Sequence, residues 1–444
     1  MTRSWTVAAL RRRNLRAVSL DALWGLGLEA SRLVAGVLTF LLLGRILGPG
    51  PYGDYIAIYA VLGMFTSLAY AALMLVVLQA SVRDGEPAER VGRSCLTWCW
   101  ITGTVLVAAA IASVGAVVDT ASLATVAAFA VSEMLVAGTI EITTQTYMAA
   151  TSFIAAAQVR LVGIAARLAP VLVLALTGRL SLESLAIANG VTLGLFAGWL
   201  HRAVRARSGL LLGPGRPEVR HARLAGFFVG PMLAFALFND GDKVVLRSTE
   251  PEETVGRYSA AYRLVGIVLL PLSALVGSSY LRFLEHDERA TGQHVRRALR
   301  FTIAGVLYAV PAGLVLLIAA PAVPVVLGHE FAGTDTMVRW LVAFVVVRSG
   351  WTFAMNGLLG LGRLALRAVL QTLSASLSLI LYLTFIPRWG WQGAAVATLV
   401  SETVLSVATW GVLLRAQRRH DAGVVTAEVD QPGPSPITGC APST

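Results

Sequence analysis

The chain has 444 residues, 56% of them apolar and only 14% charged, with a mean hydropathy of +0.71. Soluble domains carry about 25% charged residues, so a soluble enzyme, a disordered chain and a disulfide-rich secreted scaffold are all excluded. At about 20 residues per crossing, this apolar content suffices for roughly twelve membrane helices. The net charge of +11 reads as the arginine excess that orients such proteins, not as a nucleic-acid surface.

The first residues carry Arg3, Arg11, Arg12, Arg13 and Arg16 without a small-residue cleavage site, so no removable signal peptide is expected. Apolar spans follow at about 22–46, 56–81, 95–118, 122–146, 157–177 and 184–203. After a basic stretch they resume at about 224–246, 258–282, 301–321, 336–358, 366–386 and 391–414. The connection from His201 to Arg223 contains Gly213-Pro214-Gly215 and reads as a linker between two halves. This divides the chain into a basic N-terminus (1–19), a six-helix half (20–205), a linker (206–222), a second six-helix half (223–415) and a tail (416–444). The tail is Pro-rich and polar, and is expected to be disordered.

Twelve crossings place both termini on one side. With that side inside, the outer loops hold only Arg45, Arg179, Arg247, Arg257 and Arg388, and most other arginines fall in inner segments. The asymmetry predicts cytoplasmic termini in the cell (plasma or inner) membrane. Cys95 and Cys99, one helical turn apart, read as core filler. The histidines (His201, His221, His286, His294, His329 and His420) read as scattered in loops, and no metal or other cofactor is expected.

An internal repeat supports the two halves. Gly53, Tyr55, Ala57, Tyr59 and Gly63 recur 203 residues later as Gly256, Tyr258, Ala260, Tyr262 and Gly266. A shift of six helices preserves orientation, so the repeat is parallel, about an axis along the membrane normal. Two such halves around a central cavity make a transporter layout.

Three further stretches resemble a known family. They are Leu43-Gly44-Arg45-Ile46-Leu47-Gly48-Pro49 with Tyr52-Gly53-Asp54-Tyr55, then Asp242-Lys243-Val244-Val245-Leu246 with Val255 to Arg263, and Ile386 to Thr398 with Glu402. In order and spacing these resemble the bacterial polysaccharide flippases, the lipid-linked oligosaccharide (O-antigen type) members of the superfamily that also holds multidrug extruders and lipid II flippases. The resemblance implies an all-α fold in which helices 1, 2, 4, 7, 8 and 10 line the cavity.

Charges at membrane depth cost about 2.5–3.5 kcal/mol each on insertion scales, so those present face a cavity or a partner. Arg32, Arg348, Arg263 and Lys243 are the candidate substrate-binding cations, with Arg32 and Arg348 near mid-span; Lys243 and Arg263, near outer ends, read equally as interface anchors. Glu29, Glu133, Glu141, Asp240 and Asp242 are candidates for ion coupling or charge pairing. Glu29 is placed to pair with Arg32, and Glu133 to carry a proton or to neutralise an arginine such as Arg348. Asp240 and Asp242 suit either a cation site or a helix end. Arg167 and Glu402 lie on helices the family places outside the cavity and are expected to pair structurally. Pro231 and Pro271 are candidate hinges, because proline frees backbone groups inside a helix.

There is no ATPase motif and no large loop for a catalytic domain, so the chain is read as a non-enzyme driven by gradients, with the coupling ion (proton or sodium) left open. The resemblance implies an alternating-access flippase that carries an isoprenoid-diphosphate-linked oligosaccharide to the outer leaflet for surface polysaccharide biosynthesis. Its expected partners are that substrate, membrane lipids and a glycan polymerase or export machinery. A cation-coupled drug antiporter is the alternative, and a membrane-embedded glycan polymerase or ligase a more distant one.

Overall fold

The computed structural model describes residues 15–284 and 291–429, all helical rods and short turns. In chain order the rods are α1 (Leu15–Leu47), α2 (Pro49–Arg83), α3 (Ala88–Val117), α4 (Leu123–Ala150), α5 (Phe153–Leu176) and α6 (Leu182–Ser208). After the linker come α7 (Val219–Arg247), α8 (Glu252–Val268 and Leu270–Leu284), α9 (Thr291–Ala319), α10 (Thr334–Gly360), α11 (364–389) and α12 (391–429). Among the described residues, ten helices are long and apolar enough to cross a membrane. The two further spans read in the sequence are α8, whose halves are separated at Leu269, and α12, continuous with α11 except at Gly390.

Local chemistry explains the breaks. Pro49 opens α2 directly after Gly48, whose positive φ of 74° suits glycine. Ser122, Ser152 and Ser181 cap α4, α5 and α6 by accepting from backbone amides. Gly390 (φ 54°, ψ −138°) turns α11 into α12 in a single residue, three positions after Pro387. The α8 break, at Leu269, falls two residues before Pro271, as expected of a proline that removes a backbone donor. The last helix continues through Val429, beyond the position where a disordered tail was expected. Its Ala-Gln-Arg-Arg run favours helix, and no proline occurs until Pro432. Residues 430–444, including Cys440, and most of the N-terminal tail lie outside the described residues.

Apolar clusters centre on each half, and the first also takes in Ala260, Val323, Leu327 and Phe331 of the second. One set joins α2 through α6 around Phe129, Tyr52 and Leu62, and another joins α7 through α12 around Tyr258, Phe344 and Phe353. The halves meet at the face opposite the linker, where the two copies of the repeat press together. A Cβ on Gly53 would stand 2.1 Å from the Glu252 carbonyl oxygen, and one on Gly256 would stand 1.9 Å from that of Pro49. Only glycine permits α2 and α8 to approach this closely. Arg247 seals the same face, donating to Asp54 (2.7 Å) and Asp119 (3.1 Å), while Thr120 donates to the other Asp54 oxygen. Arg45 and Arg257 donate to the carbonyls of Val326 and Glu330.

On the linker face, residues 209–218 dock onto α3. The Gly215 amide donates to the Arg93 carbonyl (3.2 Å), and the Trp98 indole donates to the Glu218 carbonyl (3.0 Å).

Candidate functional site

In the first half, a π-helical turn at Ser132–Val136 interrupts α4 and turns Glu133 into the helix bundle. Its carboxylate, almost fully buried, accepts two hydrogen bonds from Arg167 on α5 (2.9 and 3.1 Å). Tyr59 of α2 and Asn189 of α6 each donate to it at 3.1 Å. The burial cost of the carboxylate is therefore met by one charge and two neutral donors. Arg167 is 42% exposed, and its open side faces a cavity of about 110 Å³. Arg32, Arg160, Arg167 and Glu141 all line that cavity. Arg160 and Arg167 stand two helical turns apart with Gly163 between them, so one face of α5 presents both guanidinium groups. Arg160 donates to Gln145 (2.9 Å), yet its buried Nε has no hydrogen-bond partner. A buried donor without a partner, lining a cavity, points to a ligand acceptor.

The second half holds a comparable pair. Glu402 of α12 is fully buried and accepts from Arg348 of α10, through Nε at 3.1 Å and through Nη2, and from the Trp351 indole. Arg348 also donates to Asn239 (3.4 Å) and lies over the rings of Phe344, Phe238 and Trp351, at 4.4, 5.6 and 5.7 Å from their centroids. It reaches a second, larger cavity between α7, α8, α10, α11 and α12.

A family model described as polysaccharide biosynthesis protein matches residues 42–336. The chain belongs to this family. No curated protein matches it. Among solved structures, it resembles the inward-facing conformation of a multidrug resistance MATE family transporter of the MOP superfamily, at 14% identity and TM-score 0.63 over 90% of this chain and 95% of that one. It resembles the lipid II flippase MurJ, in an inward closed conformation, at 12% identity and TM-score 0.66 over 89% and 87% of the two chains. A MOP superfamily transporter from Pyrococcus furiosus matches at 14% identity and TM-score 0.57, over 91% and 94%. The likeness establishes the fold: an all-helical, multi-pass membrane protein.

For this family member, several expectations from sequence need correction. Arg348 and Glu133, placed together as a possible pair, belong to different halves and have different partners, Glu402 and Arg167. Lys243 is buried, not anchored at an interface. Its ammonium binds Asp240 (2.9 Å), Asp242 (3.3 Å) and the Asn239 carbonyl (2.6 Å), 4.1 Å from the centroid of the Tyr262 ring. This ammonium sits where a cation bound by Asp240 and Asp242 would sit, and Asp242 accepts from Tyr258 as well (2.8 Å). Arg167 lines a cavity, although its helix was placed outside, because α5 packs directly on α1.

Other residues stand as follows. Glu29 and Arg32 form an exposed pair at 3.2 Å. Arg263 is exposed on α8 and lies close to Tyr52. Pro231 lines the second cavity without breaking α7. His221 and His294, read as loop residues, are buried at the starts of α7 and α9. His221, Glu86 and Glu218 bring ligand atoms within 4.8 Å of one another, but Arg220 and Arg90 already pair with the two carboxylates.

Arg160, Asn189 and Tyr59 are site residues that the sequence reading does not single out; the seven-residue spacing of Arg160 from Arg167 on one apolar helix is the signal that finds the first of them.

Proposed function

We propose that the protein is a flippase that moves an isoprenoid-diphosphate-linked oligosaccharide from the cytoplasmic to the outer leaflet, and not an enzyme acting on it. The observation that carries this reading is the cavity where Arg32, Arg160 and Arg167 converge, with the Arg160 Nε unpaired. Guanidinium groups hold phosphate oxygens through paired, charge-assisted hydrogen bonds. A diphosphate supplies enough acceptors for several such donors. Membership in a polysaccharide biosynthesis family supports a glycan-bearing cargo, and the flippase and exporter folds support passage by rocking of two halves. The helices pressed together at Gly53 and Gly256 close the far face, so the cavity is read as reached from the linker side. The arginine excess assigns that side to the cytoplasm.

The test is deletion of the gene followed by lipid extraction, with complementation by variants. Lipid-linked oligosaccharide should accumulate and surface glycan should fall. Wild type should restore export, Arg160→Ala should not, and Arg160→Lys should restore it only partly, since it keeps charge without the fork. Cysteines at Ser208 and Thr249 should be respectively protected from and open to an impermeant thiol reagent in intact cells. Unchanged glycan with new drug sensitivity would replace the flippase by an antiporter, and reversed labelling would reverse the direction.

A further inference from the structure

The cavity of the second half differs in chemistry from that of the first. It measures about 530 Å³, in the range that holds whole small-molecule ligands. Phe235, Phe238 and Trp351 give it aromatic walls, and Asn239, Thr352 and Gln371 add amides and a hydroxyl. Phe238 and Trp351 meet edge to face (6.4 Å, 81°), making a rigid corner. Glu402, behind the wall, fixes that corner by accepting from both Trp351 and Arg348. Arg348 is thus neutralised before any ligand arrives, unlike Arg160.

We propose that this cavity is the saccharide subsite, holding sugar rings of the cargo while the arginines of the first half hold its diphosphate. The inference rests on the flippase reading and deepens it. A pyranose has an apolar C–H face and a rim of hydroxyls. Aromatic plates beside amide, hydroxyl and guanidinium groups match both features. An isoprenoid chain would satisfy the aromatic walls but leave the Gln371 amide, and the remaining hydrogen-bonding capacity of Asn239 and Thr352, facing hydrocarbon, which is costly. A diphosphate would compete with Glu402 for Arg348, leaving one further cation in the lining, Arg367, against the three arginines of the first cavity. Glu402 acts here as a positioning residue, through Trp351 and Arg348.

The experiment compares two probes on the full chain in lipid nanodiscs: undecaprenyl diphosphate without sugar, and the lipid-linked oligosaccharide extracted from the deletion strain. Wild type should bind the glycosylated lipid about tenfold more tightly, the sum of one or two aromatic contacts with their hydrogen bonds. Phe235→Ala and Gln371→Ala should each lower that preference by about threefold or more. Phe235 is 63% exposed, so its truncation leaves the helix packing in place. Arg160→Ala should weaken both probes and keep their ratio. A wild-type ratio near one, or ratios unmoved by Phe235→Ala and Gln371→Ala, overturns the saccharide subsite while leaving the flippase standing. Equal weakening of both probes by Phe235→Ala overturns it too, in favour of the isoprenoid chain. Failure of wild type to bind either lipid removes the flippase reading and the subsite with it.

Discussion

Each half buries a glutamate against an arginine of its own, Glu133 with Arg167 and Glu402 with Arg348, but they arrange the pair differently. In the first half the acid is on α4 and the base on α5, and Arg167 keeps 42% of its side chain open toward a cavity. In the second half the base is on α10 and the acid on α12, and Arg348 keeps only 21%. A shift of six helices relates α4 to α10, and these carry opposite signs. The pairs therefore do not follow from the repeat that Gly53 and Gly256 display. The common requirement is physical: a carboxylate inside a membrane protein needs a full complement of donors. What differs is how much of the arginine is left for something else.

The largest effect expected from breaking this comparison is at Glu402. Its removal leaves Arg348 buried among aromatic rings and the Trp351 indole without an acceptor. Stranding a buried charge costs about 3–5 kcal/mol. Glu402→Ala should therefore lower the melting temperature of the detergent-solubilised protein sharply, and Glu402→Leu/Arg348→Met should recover most of it. Glu133→Ala should cost less, about 1–3 kcal/mol, because Arg167 can turn to the cavity. Equal losses at the two sites would mean that exposure of the arginine does not set the cost.

A second comparison concerns the point where the halves touch. Gly53 and Gly256 meet backbone on both sides, so alanine at either must push α2 and α8 apart, at about 1–3 kcal/mol for overpacking. Here the two halves should respond alike, in contrast to the ion pairs. A cysteine placed at Ala260, fully buried beside this crossing, should react faster with a maleimide in Gly53→Ala and in Gly256→Ala. Unchanged reactivity in both would show that the helices slide instead of parting.

The fold was legible because membrane crossings are long and apolar, and one-sided arginines label alternate loops. The repeat glycines were legible as a pattern, but not as the contact between halves, since nothing in a sequence says that two glycines face each other. The pairing of charges was only half legible. Residues three apart, such as Glu29 and Arg32, meet by helix geometry alone. Partners on different helices, Glu133 with Arg167 and Arg348 with Glu402, depend on packing that a single sequence does not encode locally. Assigning α5 to the outside hid the Arg160–Arg167 stripe. Reading Lys243 as an interface anchor missed that Asp240 and Asp242 lie within reach of its ammonium.

The smallest effect is expected at the linker, where the halves are joined covalently and by ions. Glu218 accepts from Arg90 (2.7 Å), and that hydrogen bond, opposed in part by burial, holds its carboxyl below the usual carboxylate range. His221 and Arg220 add to the lowering. For an acid whose folded value is depressed, the stabilisation is complete above the unfolded value and is lost as pH falls through the folded one. Docking of 209–218 onto α3 should therefore hold at neutral pH and loosen only below the ordinary carboxylate range. Because Glu218 is partly exposed, the change should be modest and weakened by salt. Hydrogen exchange at the Gly215 amide, which donates to Arg93, reads the docking directly. Corrected for the intrinsic pH dependence of exchange, its protection should drop on acidification in wild type. In Arg90→Gln it should be lower already at neutral pH and fall from a higher pH, since the carboxyl then titrates nearer its ordinary value. Protection that is indifferent to both pH and Arg90 would leave the linker's attachment to the Trp98 indole, to the Thr97 hydroxyl, which also accepts from the Gly215 amide (2.8 Å), and to the Ser94 hydroxyl, which accepts from the Glu218 amide (2.9 Å).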